Sequence, residues 1–158
     1  MNRTIEGVLR FVNLTTSGLL AGSLGFGEAA LVPGWTHELP RDKMGSVHEL
    51  RNNAYVNAIG PVALGSAVTL AIAARGVSPS RRILDAATAL GLAGVLAATV
   101  MVTVPINKEL ENEPARDYPN DRSQSLVKNW SRAHAVRTTL GIGAFVCAVA
   151  SNLAHKRN

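Results

Sequence analysis

Trp130, His134 and Arg137 follow one another at intervals of four and three residues, so on a helix they share one face. An imidazole one turn from a guanidinium can do specific chemistry. The first can accept a proton and the second can hold the anion left behind. Three more polar groups sit where apolar sequence surrounds them. Glu28 lies late in one apolar run, Asn57 early in another, and Asn107 just after Pro105 at the end of a third. His48, Arg51 and Tyr55 repeat the three-and-four spacing ahead of the second run. His134, Arg137, Asn107 and Glu28 are the candidate catalytic residues. Trp130, Asn57, Tyr55 and His48 are the candidate substrate-binding residues.

Each of these residues also has a plainer role. Arg137 could snorkel to headgroups, or pair with Glu28 as a structural ion pair. Trp35, Tyr55 and Trp130 fit an interfacial aromatic belt. Asn57 and Asn107 could be hydrogen-bond glue between helices. His48 and His134 as two ligands of a metal or haem is a further alternative. No other metal ligand set is evident, and no cofactor is named by the residues themselves.

These side chains need apolar helices to position them. The 158 residues are 47% hydrophobic and 17% charged, and the charges gather in short blocks between long stretches that hold almost none. A water-soluble helix carries charge along one face throughout. A bilayer needs about 20 apolar residues per helix. Four runs qualify, at about 11–32, 54–74, 86–106 and 133–154. The expected fold is all-α: one domain over 1–158, an integral membrane four-helix bundle running up-down-up-down. A cleaved signal peptide is the alternative for the first run, but its length and the place of Glu28 favour a retained helix. Gly18 with Gly22, Ala87 with Gly91, and Gly94 with Ala98 suggest close helix approach. Pro61 suggests a bend in the second span.

Arg3 and Arg10, then Arg75, Arg81 and Arg82, then Lys156 and Arg157 mark one side as basic. The two longer loops balance their basic residues with acids. Both termini are therefore expected in the cytoplasm of a multi-pass cell-membrane protein. In this topology Glu28, Asn57, Asn107, His134 and Arg137 converge at the outer end. The cytoplasmic half is expected to be plain, with mainly Asn13, Asp85 and Asn152 as polar residues.

The net charge of +5 arises at the ends of apolar runs, which argues against a nucleic-acid partner. Membrane lipid and a hydrophobic small molecule are the expected partners. The glycine-rich faces either close one chain on itself or pair two chains, so a homo-oligomer stays open. The one cysteine, Cys147, lies in an apolar run and says nothing about redox compartment. Nucleotide-binding glycine patterns, nucleophile elbows and zinc-protease helices are missing. So is the internal repeat of a typical secondary transporter.

"TVPINKEL" (Thr103 to Leu110) followed by "WSRAHAVRTTLGIGAF" (Trp130 to Phe145) resembles the anthrone oxygenase family. "SGLLAG" (Ser17 to Gly22) and the Asn-rich entry to the second run look like it too. The resemblance implies a membrane-embedded four-helix fold. From the family's fungal members it implies oxygenation of a polyketide anthrone to an anthraquinone by molecular oxygen, with Asn107, Trp130, His134 and Arg137 as the positions carried over. Three functions follow as expectations. The first is an oxidoreductase or monooxygenase of this kind, acting on a lipophilic aromatic. The second is a non-catalytic four-span protein that binds a lipid, hydrophobic ligand or membrane partner. The third is a metal- or haem-dependent membrane oxidoreductase.

Overall fold

The computed structural model describes residues 2–32, 52–74, 77–112 and 121–156. The first helix, α1 (Arg3–Phe26), starts where the side chain of Asn2 accepts the Thr4 amide at 2.9 Å. It runs on into a π-helical turn, π1 (Gly27–Leu31). Helix α2 spans Asn52–Ala73 with Pro61 inside it. Helix α3 (Pro79–Ala98) begins on a proline, whose missing N–H costs nothing at a first helical position. It continues through a second π turn, π2 (Thr99–Thr103), into α4 (Val104–Asn112). Helix α5 spans Asp121–Lys156. With α3, π2 and α4 taken as one rod, the described residues form four helices and no strand.

Each rod contributes to one core: Leu20 and Leu24 from α1, Ala63 and Ala67 from α2, Leu92 and Val95 from α3, and Ala144 from α5. Helix α1 packs on α2 and α5, and α3 packs on α2 and α5. The starts of α1 and α3 meet the end of α5, where Arg10 bonds both Asp85 and Ser151. The end of α1 meets the start of α5, where His134 and Thr138 reach Leu24. Helices α1 and α3 thus run one way and α5 the other, and α2 ends at Ala73, shortly before α3 begins at Pro79.

Size and polarity are distributed in an unusual way. Small polar residues fill the interior: Ser17 is 0% exposed, and Ser66, Thr88 and Ser151 are also buried. Large apolar residues point outward, with Leu90 at 74% and Met101 at 76% exposure. Some buried hydroxyls are satisfied within their own helices, as when Ser17 donates to the Asn13 carbonyl at 2.6 Å and Thr88 to the Leu84 carbonyl at 2.9 Å.

Among the described residues, two helices are long and apolar enough to cross a membrane, Pro79–Glu109 and Asp121–His155. Ala58–Ala73 is a shorter apolar helix. The helices outrun three of the expected spans. Helix α1 begins well before residue 11, α3 begins before 86, and α5 begins before 133.

That extension corrects one expectation. The supposedly plain half holds a buried ion network. Arg10 pairs with Asp85 at 3.1 Å and with Glu6 at 3.1 Å, and Arg81 pairs with Glu6. Ser151 donates to Asp85 at 2.5 Å. Nearby, Asn13 donates to the Ala63 carbonyl and to the Ser66 hydroxyl, each at 3.2 Å. Glu6 and Arg10, and likewise Arg81 and Asp85, are one turn apart on helices that start earlier than the apolar runs. Their charges therefore face inward instead of lying in flanking loops.

Candidate functional site

At the opposite end, two side chains of α5 reach the end of α1 and a third stacks on one of them. His134 is buried, and its Nε2 lies 3.3 Å from the carbonyl oxygen of Leu24. A carbonyl only accepts, so Nε2 carries hydrogen in the neutral ring and Nδ1 carries the lone pair. Thr138, one turn further along α5, donates its hydroxyl to the same carbonyl at 3.3 Å. Trp130, one turn earlier, stacks on the imidazole with ring centroids 5.1 Å apart and planes 5° from parallel. Glu28, on π1, places Oε2 3.9 Å from His134 Nε2. Gly27 makes this approach feasible, because a Cβ there would lie 2.8 Å from His134 Nε2.

The second π turn does the same for Arg137. Thr103 closes π2, and its hydroxyl lies 3.5 Å from the Ala98 carbonyl, five residues back. Arg137 Nη1 donates to Thr103 Oγ1 at 3.0 Å. A chain of donors results, from guanidinium to hydroxyl to carbonyl. A π turn offsets the backbone bonding pattern, and ahead of each one here a carbonyl, Leu24 or Ala98, takes a side-chain hydrogen. Asn107 sits one turn beyond Thr103 on α4.

Four buried polar atoms at this end have no hydrogen-bond partner among the described residues: Glu28 Oε2, Asn107 Oδ1, His134 Nδ1 and Arg137 Nε. Buried polar atoms are nearly always paired, and each unmet one costs about 1–3 kcal/mol. Four of them lie at one end: two acceptors on Glu28 and Asn107, a basic nitrogen on His134 and a donor on Arg137.

The sequence-predicted residues fall into three groups. Glu28, Trp130 and His134 come together, and Arg137 and Asn107 lie at the same end. Tyr55 and Asn57 lie on the first turns of α2, but their side chains are outside the described residues. His48 lies outside them altogether, and with it the two-histidine ligand pair. Two expectations are corrected. Arg137 does not snorkel outward, since it is 6% exposed. Nor is Glu28 its partner: Arg137 is held by Thr103, and Glu28 lies against His134. The reason is angular. Three residues along a helix leave side chains about 60° apart, so His134 addresses α1 while Arg137 addresses π2.

Sequence reasoning missed Gly27, Thr103, Thr138 and the Leu24 carbonyl. Thr138 was within reach, one turn after His134. A π turn leaves no comparable mark in apolar periodicity.

The fold and site define a class: a small all-helical protein of membrane type, with apolar residues outside and a polar constellation buried at one end. Its family is shown directly. The chain belongs to the anthrone oxygenase family, whose model matches residues 51–147, more than half of it. The match includes Asn107, Trp130, His134 and Arg137, and it leaves out the Ser17–Gly22 segment and Glu28. No curated protein and no solved structure matches the chain.

Proposed function

We propose that this protein is a four-span bundle of the cell membrane, with both termini cytoplasmic, that oxygenates a lipophilic aromatic carbon acid such as an anthrone. The membrane part is supported by the outward-facing Leu90 and Met101 over an interior of Ser17, Ser66 and Ser151. That inversion suits lipid, where small interfacial residues let helices approach. Arg3 on α1 and Arg81 and Arg82 on α3 lie at the end that holds Arg10, Asp85 and Ser151, in keeping with the positive-inside rule.

The observation that carries the catalytic part is the set of four unpartnered atoms on Glu28, Asn107, His134 and Arg137. His134 Nδ1 takes the proton of an acidic C–H. Arg137 Nε donates to the enolate-type oxygen on which the charge settles, while Asn107 Oδ1 accepts from a hydroxyl of the substrate. The electron-rich carbon then reacts with molecular oxygen. A C–O bond forms, the resulting peroxide anion takes back the proton held on His134 Nδ1, and loss of water from the hydroperoxide leaves the new carbonyl. An apolar aromatic substrate enters from the bilayer, so lipid is the immediate partner.

Anthrone turnover by the purified protein and by His134→Ala and Arg137→Ala variants is the test. Loss of turnover in both is expected, and unchanged turnover in both would sink the assignment. Absorption spectra and metal analysis of the same preparation bear on the other oxidoreductase reading. A Soret band, or stoichiometric iron or copper, would make His134 a ligand instead of a base.

A further inference from the structure

A base that takes a proton away from water becomes a buried cation, and passing a proton on toward the surface relieves that charge. The two nitrogens of His134 have different surroundings. Nε2 faces acceptors only, the Leu24 carbonyl at 3.3 Å and Glu28 Oε2 at 3.9 Å. Nδ1 is buried with no partner among the described residues. Glu28 is divided in the same way. Its Oε2 is buried and makes no hydrogen bond among the described residues, yet the side chain as a whole is 36% exposed. The carboxylate therefore bridges the ring and the surface.

We infer that His134 and Glu28 form a proton relay leading from the buried site to the outside, with Nδ1 as its entrance and Nε2 as its exit. The inference rests on the proton abstraction proposed above. In the first step the substrate C–H bond breaks, its electron pair stays on carbon, and an Nδ1–H bond forms. In the second step the Nε2–H bond breaks, its electron pair stays on the ring, and the proton joins Glu28 Oε2. The net products are a carbanion, a neutral imidazole of the other tautomer and a neutral Glu28 acid. Glu28 then releases its proton to water. Once the carbanion has added oxygen, the peroxide anion takes the Nδ1 hydrogen and Nε2 regains one from water through Glu28, which restores the starting tautomer and the carboxylate.

The 3.9 Å gap is longer than a hydrogen bond. Closing it requires only that the carboxylate move toward a ring that has just become cationic. The ring itself is held in place by the Trp130 stack and the Leu24 carbonyl. Glu28 is thus a positioning and relay residue, while His134 is the group that touches substrate.

Nitrogen-15 histidine labelling of the full chain in detergent reads the tautomer directly, with His134→Gln assigning the signals. The expected result is a pyrrole-like Nε2 and a pyridine-like Nδ1, with the Nε2 signal displaced in Glu28→Gln. In anthrone turnover, Glu28→Gln should lower kcat by roughly a hundredfold with KM unchanged, and Glu28→Asp should recover part of the loss. An Nδ1–H tautomer overturns the relay, and so does a Glu28→Gln kcat equal to the parent's. If the parent protein consumes no anthrone, the oxygenase reading fails on its own. The relay is then judged by the nitrogen signals, and a Glu28→Gln spectrum identical to the parent's overturns it.

Discussion

The guanidinium of Arg10 meets the carboxylate of Asp85 through two bonds, Nη2 to Oδ2 at 3.1 Å and Nη1 to Oδ1 at 3.4 Å, with both side chains buried. This fork ties the start of α1 to the start of α3, and the hydroxyl of Ser151 brings in the end of α5. One buried pair thus joins three of the four helices, far from the candidate site.

Breaking that pair should be costly, because the remaining charge stays buried without a counter-ion. Asp85→Asn or Arg10→Met is expected to lower stability by about 3–5 kcal/mol. The double variant Arg10→Met with Asp85→Asn should lose clearly less than the sum of the two single changes. Thermal unfolding of the detergent-purified variants measures this. Additive losses would mean that the two side chains do not act as a pair.

The outward face should respond as a lipid face. Leu90 and Met101 are more than two-thirds exposed, and in water a charged residue there would cost almost nothing. In a bilayer the same change near a helix centre costs about 2.5–3.5 kcal/mol. Leu90→Arg is therefore expected to reduce the membrane-integrated fraction that resists alkaline extraction. A Leu90→Arg variant that integrates like the parent would argue that this face meets no lipid.

Helix identity and the gathering of His134, Trp130 and Glu28 at one end were legible in the sequence, because apolar run lengths and helical spacing determine both. The partner choices were not. Whether Arg137 pairs with Glu28 or Thr103 depends on where the π turns fall, and those shift a side chain's direction without altering the apolar pattern. The ion network was hidden for a different reason. Arg10 and Arg81 read as basic flanks, whereas their one-turn spacing from Glu6 and Asp85 on two helices marks an interior polar face.

The close approach of α3 and α5 gives a third prediction. A Cβ on Gly91 would lie 2.9 Å from the Ala144 Cβ and 3.2 Å from the backbone carbonyl of Leu140. Backbone cannot step aside as a flexible side chain can. Gly91→Val is expected to cost about 1–3 kcal/mol in thermal or denaturant unfolding. Gly22 is the internal comparison, since nothing lies within 4 Å of a Cβ there. Gly22→Ala should be neutral or stabilising by up to about 1 kcal/mol. Equal losses at both sites would show that helix packing does not distinguish them.

The last prediction concerns Arg137 and the hydroxyl that aims it. Thr103 accepts from Nη1 at 3.0 Å while its own hydrogen faces the Ala98 carbonyl at 3.5 Å, so its oxygen presents a lone pair toward the guanidinium. Thr103→Val keeps the shape and removes that acceptor, whereas Thr103→Ser keeps the acceptor. If Arg137 holds the substrate oxygen in the transition state, Thr103→Val should lower kcat in anthrone turnover by roughly tenfold, and Thr103→Ser should stay near the parent. Arg137→Lys should lose more, roughly 100- to 1000-fold. An ammonium has no planar fork with which to engage Thr103 and still present a second donor to substrate. A Thr103→Val variant with parental kcat would show that the guanidinium is aimed by something other than the second π turn, and Arg137→Lys at parental rate would remove the guanidinium from the chemistry.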